Sequence, residues 1–290
     1  MSEPFLKALT EAAAEPLLRR GFLLTTLAAG FAAAANPVMA QAVITSAEGL
    51  TEAEVKVPSL GVEIPAYVAM PTTGGPFPTV LVVQEIFGVH EHIRDVCRRF
   101  AKLGYYAIAP ELYARQGDVS KYTDIPKLFA EVVSKVPDAQ VASDLDASVA
   151  FAKASGKADT TRLAAIGFCW GGRQTWLYAA HNPALKAAAA LYGPLGGTPD
   201  LLKPKNPIDL ADTIKVPVIG LYGGQDSGIP QVQVDALRDK LKSGTSGSEI
   251  NVYPNSGHAF FADYRPSYRK ADADDAWIKI QAWFKSHGAI

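Results

Sequence analysis

Short apolar runs alternate along the chain with longer stretches in which apolar residues recur at helical spacing. Residues 79–83 (TVLVV) are almost entirely apolar, as expected of a strand buried on both faces. Residues 54–57 and 62–70 instead alternate apolar and polar positions, which predicts a half-exposed antiparallel pair. The same criteria predict strands at 106–110, 162–166, 187–192, 216–222 and 249–253.

Helical spacing of apolar residues fills the intervals between these strands. It predicts helices at 91–103, 139–154, 173–180, 231–242 and 268–284. Strands that alternate with helices favour an α/β fold with a mostly parallel central sheet and helices on both faces. The longest predicted loop, residues 193–212, is rich in Gly and Pro, and long loops of this kind often border active sites.

The first 42 residues have the pattern of an export signal. Arg19 and Arg20 precede an apolar, Ala-rich run that ends at Ala35, and Ala40 and Ala42 fit a cleavage site. The paired arginines indicate a twin-arginine-type signal at 1–42, a mature domain at 43–290, and a periplasmic or secreted protein. The alternative is an N-terminal membrane anchor, but the run is shorter than the roughly 20 residues needed to cross a bilayer.

Composition narrows the classes of partner. The formal net charge is −1 and 20% of residues are charged, so the chain has no basic field for nucleic acid. Two cysteines allow one disulfide at most, and Cys97 falls on the apolar face of the helix predicted at 91–103, which indicates core packing. We expect a small-molecule substrate, no cofactor, no stable membrane span, and a monomer or weak dimer.

Ligands of parallel α/β sheets gather at the carboxyl ends of the strands, so polar residues directly after each strand are the candidates for chemistry. Five such places stand out. They are residues 84–88, 111–115, 169, 223–226 and 256–258.

Cys169 lies between a predicted strand and a predicted helix in the sequence GFCWG. This fits the nucleophile-elbow pattern, with Cys in place of Ser, in which flanking glycines let strand and helix approach closely. The positive end of the following helix would favour a thiolate. The alternative is a buried structural thiol in a glycine-rich turn.

A nucleophile needs a base, and the base needs an orienting group. His258 is the only histidine after Cys169 in a loop that follows a strand, and Asp226 lies between them. Nucleophile, acid and histidine in this order are typical of α/β-hydrolases. Separately, Asp226 could cap the next helix and His258 could be an ordinary loop residue, but three matches at three strand ends favour a triad.

His90 and His92 suggest a metal site, because imidazole is a common ligand. Two histidines two positions apart point in opposite directions on a strand and poorly together on a helix. No third ligand is evident nearby, so we predict no metal.

Four stretches together resemble the dienelactone hydrolase (carboxymethylenebutenolidase) family of the α/β-hydrolase superfamily. They are LVVQEIFGVHEHIRDVCRRFAKLGYYAIAPELYAR, AAIGFCWGGR, VPVIGLYGGQDSGIP and YPNSGHAFF. They lie between about Leu81 and Phe261, and the predicted closing helix fits too, so the similarity extends over nearly the whole predicted mature domain. The resemblance implies an α/β-hydrolase fold for residues 43–290.

The resemblance also implies roles for individual residues. Cys169 would attack the ester carbonyl, His258 would act as base and then as acid, and Asp226 would hold the imidazole. Glu85 matches a glutamate that contacts the resting thiol and helps to activate it when substrate arrives.

Further positions would bind the substrate. The backbone N–H groups of Ile86 and Trp170 would form the oxyanion hole, and the side chains of Tyr113 and Trp170 either line the pocket or pack in the core. Arg115 matches an arginine that binds the substrate carboxylate. The family's second substrate arginine is replaced by Ala262, and Arg265, three residues further on, is a candidate substitute.

These observations predict a cysteine-dependent hydrolase of a small lactone or ester that carries a carboxylate, similar to carboxymethylenebutenolidase. One alternative is an exported, broad-specificity carboxylesterase for uncharged esters. Another is a non-catalytic binding protein on the same scaffold, since a fold alone does not establish a function.

Overall fold

A computed structural model describes residues 43–290, so the predicted export signal at 1–42 lies outside the described residues and stays a prediction. Eight strands form one sheet. They are β1 (Leu50–Ser59), β2 (Val62–Pro71), β3 (Phe77–Val83), β4 (Tyr106–Pro110), β5 (Ala158–Phe168), β6 (Ala187–Leu191), β7 (Val218–Gly223) and β8 (Glu249–Tyr253).

The strand order is β1-β2-β4-β3-β5-β6-β7-β8. The pairs β1-β2 and β2-β4 are antiparallel, and all other pairs are parallel, which confirms the mostly parallel sheet. The predicted antiparallel pair is also confirmed, although β1 is longer than residues 54–57, because it pairs with β2 over its whole length. The two strands meet in a tight turn at Leu60 and Gly61, both with positive φ (48° and 79°).

Seven α-helices are present in residues 43–290, besides two single-turn 3-10 helices. They are α1 (Glu91–Lys102), α2 (Ile125–Glu131), α3 (Asp138–Ala154), α4 (Trp170–His181), α5 (Pro207–Leu210), α6 (Gln231–Ser243) and α7 (Lys270–Ser286). The sequence did not predict α2 or α5, which are too short for a clear period. Local chemistry starts both: Asp124 accepts a hydrogen bond from the Lys127 N–H at the start of α2, and Asn206 opens a reciprocal capping box before α5.

The core lies between the sheet and the helices packed on it. Strands β4, β6 and β7 are buried at every residue, which explains their continuous apolar sequences. Cys97 is fully buried on α1, so its predicted role in core packing is confirmed, and both cysteines are free thiols. None of the helices in residues 43–290 is long and apolar enough to cross a membrane.

Candidate active site

A sharp turn at the end of β5 presents Cys169. The residue has φ 54° and ψ −119°, a strained conformation for a non-glycine residue that is typical of functional sites. A Cβ on Gly167 would lie 2.2 Å from the Gly171 carbonyl oxygen, and one on Gly171 would lie 2.3 Å from that of Gln84. The glycines predicted to allow close approach are therefore required by the packing. The first turn of α4 begins at the next residue, Trp170.

Cys169, His258 and Asp226 are joined by hydrogen bonds. His258 Nε2 lies 3.2 Å from Cys169 Sγ, and His258 Nδ1 lies 2.7 Å from Asp226 Oδ2. The Gly228 N–H donates to the other Asp226 oxygen at 2.9 Å, so the carboxylate is held at both ends. Residues from three strand ends, 89 and 32 positions apart in sequence, thus form one chain of contacts.

Packing between the β7 and β8 loops fixes this geometry. The Gly224 N–H donates to the Tyr253 carbonyl at 2.8 Å, and the Gln225 N–H donates to the Ser256 carbonyl at 2.9 Å. Gly223 has no room for a Cβ, which would lie 2.4 Å from the same Ser256 oxygen. These contacts bring the loop that carries Asp226 against the loop that carries His258.

The electrostatics of His258 favour its charged form. Burial disfavours the imidazolium, but the negative charge at Cys169 and the hydrogen bond that His258 Nδ1 donates to Asp226 outweigh that effect and raise the pKa of His258 to about 10. Near neutral pH the imidazolium form of His258 is therefore favoured, with its Nε2 beside Cys169 Sγ. A thiolate is the nucleophilic form of cysteine.

Glu85 follows β3 and is completely buried. Its Oε2 lies 3.3 Å from His90 Nε2 and accepts a hydrogen bond from the Tyr264 hydroxyl. Burial would raise the pKa of the Glu85 carboxyl, but the positive charge of Arg265 and the bond from His90 hold it well below its usual range. Its Oε1 has no hydrogen-bond partner within residues 43–290. Glu85 is therefore a buried carboxylate with one oxygen available.

Arg265 lies beside this carboxylate and not on the surface. Its Nε donates to the Tyr264 hydroxyl at 3.0 Å, and its guanidinium lies 5.1 Å from the ring centroid of Phe87. Only 6% of the residue is exposed. Arg265 thus provides a buried positive charge at the site, whereas Ala262, the position of the family's second arginine, is a buried alanine.

Tyr113 and Trp170 lie together, with ring centroids 4.7 Å apart. Tyr113 is fully buried and Trp170 is 6% exposed. Neither the Tyr113 hydroxyl nor the Trp170 indole N–H has a hydrogen-bond partner in the described part of the chain. Ile86, whose N–H is the other predicted oxyanion donor, is fully buried directly after Glu85.

Arg115 has partners different from those that the resemblance implies. Its Nη1 donates to Asp144 Oδ2 at 2.6 Å and its Nη2 to the Ser59 carbonyl at 2.7 Å. Asp144 is completely buried on α3 and also accepts from the Ser59 hydroxyl at 2.5 Å. These contacts join the β1-β2 turn, the loop after β4 and α3, and they favour a structural role over substrate binding.

The two histidines first considered as metal ligands belong to hydrogen-bonded pairs with carboxylates. His90 contacts Glu85, as described above, and His92 Nδ1 lies 3.0 Å from Asp263 Oδ1. Within residues 43–290, no group of three or more His, Cys, Asp or Glu side chains is arranged to hold a metal ion.

Sequence reasoning missed three residues near the site. The sequence suggests His90 only as a metal ligand, and it gives no role to Tyr264, which directly precedes Arg265. The sequence predicts Tyr192 as the end of a strand, whereas it is the first residue after β6. Its ring meets that of His258 at a centroid distance of 5.2 Å. The position of Tyr192 directly after a buried strand was the signal in the sequence that could have identified it as a residue of the site.

The fold and these contacts define the chain as an α/β-hydrolase with a cysteine at the nucleophile elbow. Comparison with known proteins agrees. The profile of the family described as "Dienelactone hydrolase family" matches residues 64–288. A Methylorubrum extorquens protein named "Putative carboxymethylenebutenolidase" is 61% identical over 96% of each chain, and an Escherichia coli protein of the same name is 52% identical over 92% of this chain and 98% of its own.

A solved structure is also similar. The crystal structure titled "Putative Dienelactone Hydrolase" from Klebsiella pneumoniae superimposes with a TM-score of 0.80 at 56% identity, covering 81% of this chain and 98% of that one. The chain therefore belongs to the dienelactone hydrolase family. As a member, it is a hydrolase that acts on carboxylic esters.

Proposed function

We propose that this protein hydrolyses a small ester or lactone through a Cys169–His258–Asp226 triad. The observation that carries the proposal is the hydrogen-bonded chain from Cys169 Sγ through His258 to Asp226, at a strained turn. A nucleophile, a base and an orienting carboxylate are the groups that acyl transfer needs. The names of the relatives point to carboxymethylenebutenolide, a lactone that carries a carboxylate, as the type of substrate.

In this mechanism the Cys169 thiolate attacks the ester carbonyl carbon, and the carbonyl electron pair moves onto oxygen. The N–H groups of Ile86 and Trp170 stabilise that oxyanion, a contribution typically worth about 3–4 kcal/mol. The His258 imidazolium then protonates the leaving alkoxide as its bond to carbon breaks. Water, deprotonated by His258, cleaves the resulting thioester and regenerates the thiolate. Asp226 keeps the imidazole in the required tautomer throughout.

Glu85 is assigned the activating role that the resemblance implies. Its carboxylate is buried, and its Oε1 has no hydrogen-bond partner within residues 43–290, so this oxygen can accept a hydrogen bond from the Cys169 thiol. If this is right, Glu85→Gln slows alkylation of Cys169 in the presence of a substrate analogue more than in its absence.

The test of the triad uses the chain's second thiol as a matched control. Cys169→Ala should abolish hydrolysis of 4-nitrophenyl acetate and of dienelactone, while Cys97→Ala, at the other buried free thiol, should keep both activities. Iodoacetamide should inactivate the protein with label on Cys169 alone, located by peptide mass spectrometry. Full activity of Cys169→Ala would refute the proposal.

A second candidate is a carboxylesterase for uncharged esters. It is favoured by the contacts of Arg115 with Asp144 and by Ala262 at the position of the second substrate arginine. The buried charge of Arg265 favours carboxylate substrates instead. The kcat/KM values for 4-carboxyphenyl acetate and 4-carbamoylphenyl acetate, which differ in that charge, decide between the two.

We also propose export to the periplasm or beyond, which rests on Arg19, Arg20 and the small residues at Ala40 and Ala42. The mature chain would begin near residue 41 or 43. N-terminal sequencing of protein from the periplasm is the test, and an N-terminus still at Met1 would contradict cleavage.

A further inference from the structure

Tyr192 has a backbone conformation that a bulky residue rarely adopts. Its φ is 37°, in the left-handed region that favours glycine. The backbone is held on both sides: the Tyr192 N–H donates to the Leu221 carbonyl at 2.8 Å, and the Leu191 carbonyl accepts from the Cys169 N–H at 3.0 Å. The end of β6 is thus bonded to the nucleophile elbow and to β7, and the strain is maintained next to the reacting thiol. Strain of this kind is found preferentially at functional sites.

The Tyr192 side chain is buried in the site, yet its polar atom is unused. The residue has no exposed surface, and its ring meets His258 edge-on at 5.2 Å and Phe260 at 5.6 Å between centroids. Its hydroxyl has no hydrogen-bond partner within residues 43–290. A buried hydroxyl without a partner is destabilising and is rare in folded proteins, so a native example calls for an explanation.

Several charged groups of the site act on this hydroxyl. Burial raises the pKa of Tyr192 well above its ordinary value, and the charges of Glu85, Tyr264, Arg265 and Cys169 also act on it. The hydroxyl therefore stays protonated, and the positive charge of Arg265 is among the charges that act on it. A neutral O–H donor near a guanidinium is a combination that suits a carboxylate oxygen.

We propose that Tyr192 determines specificity by donating a hydrogen bond to a carboxylate oxygen of the substrate, beside the positive charge of Arg265. The proposal rests on the proposed esterase function and extends it to a residue outside the triad. It accounts for the strained backbone of Tyr192, because that conformation places the ring against His258. It also accounts for the buried hydroxyl, which forms its hydrogen bond only when substrate is bound. The free protein thus gives up some stability for a preformed site.

The variant Tyr192→Phe removes the hydroxyl and keeps the ring against His258. We expect KM for 4-carboxyphenyl acetate to rise about tenfold, as for loss of a hydrogen bond to a charged group, with kcat nearly unchanged. KM for 4-carbamoylphenyl acetate should change less than twofold. Equal changes for both esters, or no change for either, would overturn the proposal.

Thermal denaturation distinguishes this role from a structural one. Because the hydroxyl has no hydrogen-bond partner within residues 43–290, Tyr192→Phe should melt at the same temperature or higher. A lower melting temperature would show that the hydroxyl is bonded in the free protein and would overturn the proposal. The matched control is Tyr178→Phe on α4, whose hydroxyl donates to Asp146 at 2.9 Å; it should lower the melting temperature and leave the ratio of the two KM values unchanged.

A binding measurement separates this proposal from that of the triad. In the Cys169→Ala background, Tyr192→Phe should weaken binding of 4-hydroxybenzoate, the carboxylate product, about tenfold by calorimetry, whether or not Cys169 is the nucleophile. Unchanged affinity would overturn the role of Tyr192 alone. Residual turnover by Cys169→Ala would overturn the triad alone.

Discussion

Arg115 offers a direct test of whether its guanidinium stabilises the fold or binds substrate. The replacement Arg115→Met keeps most of the aliphatic stem and removes the charge. Asp144, which is fully buried, then loses its ion pair and keeps only the hydroxyl of Ser59. Removing one partner of a buried ion pair costs about 3–5 kcal/mol, because the remaining charge stays buried and uncompensated.

We expect the lower end of that range, about 3 kcal/mol, because the Arg115 side chain is 18% exposed and water screens part of the interaction. For a domain of this size, 1 kcal/mol lowers the melting temperature by about 2–4 °C, so the expected loss is about 6–12 °C. The matched control is Arg162→Met, whose pair with Asp159 is more exposed (39% and 22%) and is worth about 0–1 kcal/mol.

The assay combines thermal denaturation with kinetics on 4-carboxyphenyl acetate. Arg115→Met should lower the melting temperature and leave KM within twofold of the original protein. Adding Asp144→Asn should restore part of the stability, because it removes the unpaired charge while retaining a partner for Ser59. The reasoning is refuted if KM rises tenfold or more while the melting temperature is unchanged, since Arg115 would then be the substrate clamp.

Four further predictions concern Cys169, its hydrogen-bond partners and the turn that carries it. Asp226→Asn should lower kcat by about 10²–10⁴-fold, since the histidine loses its orienting carboxylate; circular dichroism controls for folding, and unchanged kcat would exclude the role. His258→Gln should slow alkylation of Cys169 at pH 7 at least tenfold, with the rate recovering as pH rises, and a pH-independent rate would contradict the ion pair. Because the pKa of His258 is raised to about 10, the interactions of its charged form contribute their full stability below about pH 6.5 and lose it as pH rises through 10. The difference in melting temperature between the original protein and His258→Gln should therefore narrow from pH 7 to pH 10. A constant difference would argue against the raised pKa. Gly171→Ala should destabilise the fold by several kcal/mol, because its Cβ would lie 2.3 Å from the Gln84 carbonyl oxygen, and a native melting temperature would show that the turn can relax.

Much of the fold could be predicted because periodicity is a local property of the chain. The uninterrupted apolar runs of β4 and β7 could only be strands buried on both faces, and their alternation with helices implied parallel pairing. The boundaries of β5, predicted as 162–166 and found at Ala158–Phe168, were less certain, because polar residues at its start are tolerated where the strand is partly exposed. The short helix α2 depends on a single cap and was not predicted.

The candidate site also contains residues that the sequence could predict and contacts that it could not. Cys169, Asp226 and His258 could be proposed from the sequence, because each follows a strand and parallel strands bring their carboxyl ends to one edge of the sheet. The partners of Arg115 could not, because Asp144 is 29 residues away on a helix and nothing local indicates that the two side chains meet. The contact of Tyr264 with Glu85, 179 residues apart, is equally invisible in the sequence.

The sequence by itself determined the order of strands and helices, the glycines of the nucleophile elbow and the residues available at each strand end, since these depend on local spacing and side-chain size. Only the tertiary structure decided which polar groups are paired. Arg115 contacts Asp144, Arg265 lies beside Glu85, and the Tyr192 hydroxyl has no hydrogen-bond partner among residues 43–290. The physical reason is that hydrogen bonds and buried charges act over a few ångströms in space, and residues distant in sequence reach that range only when the sheet has formed.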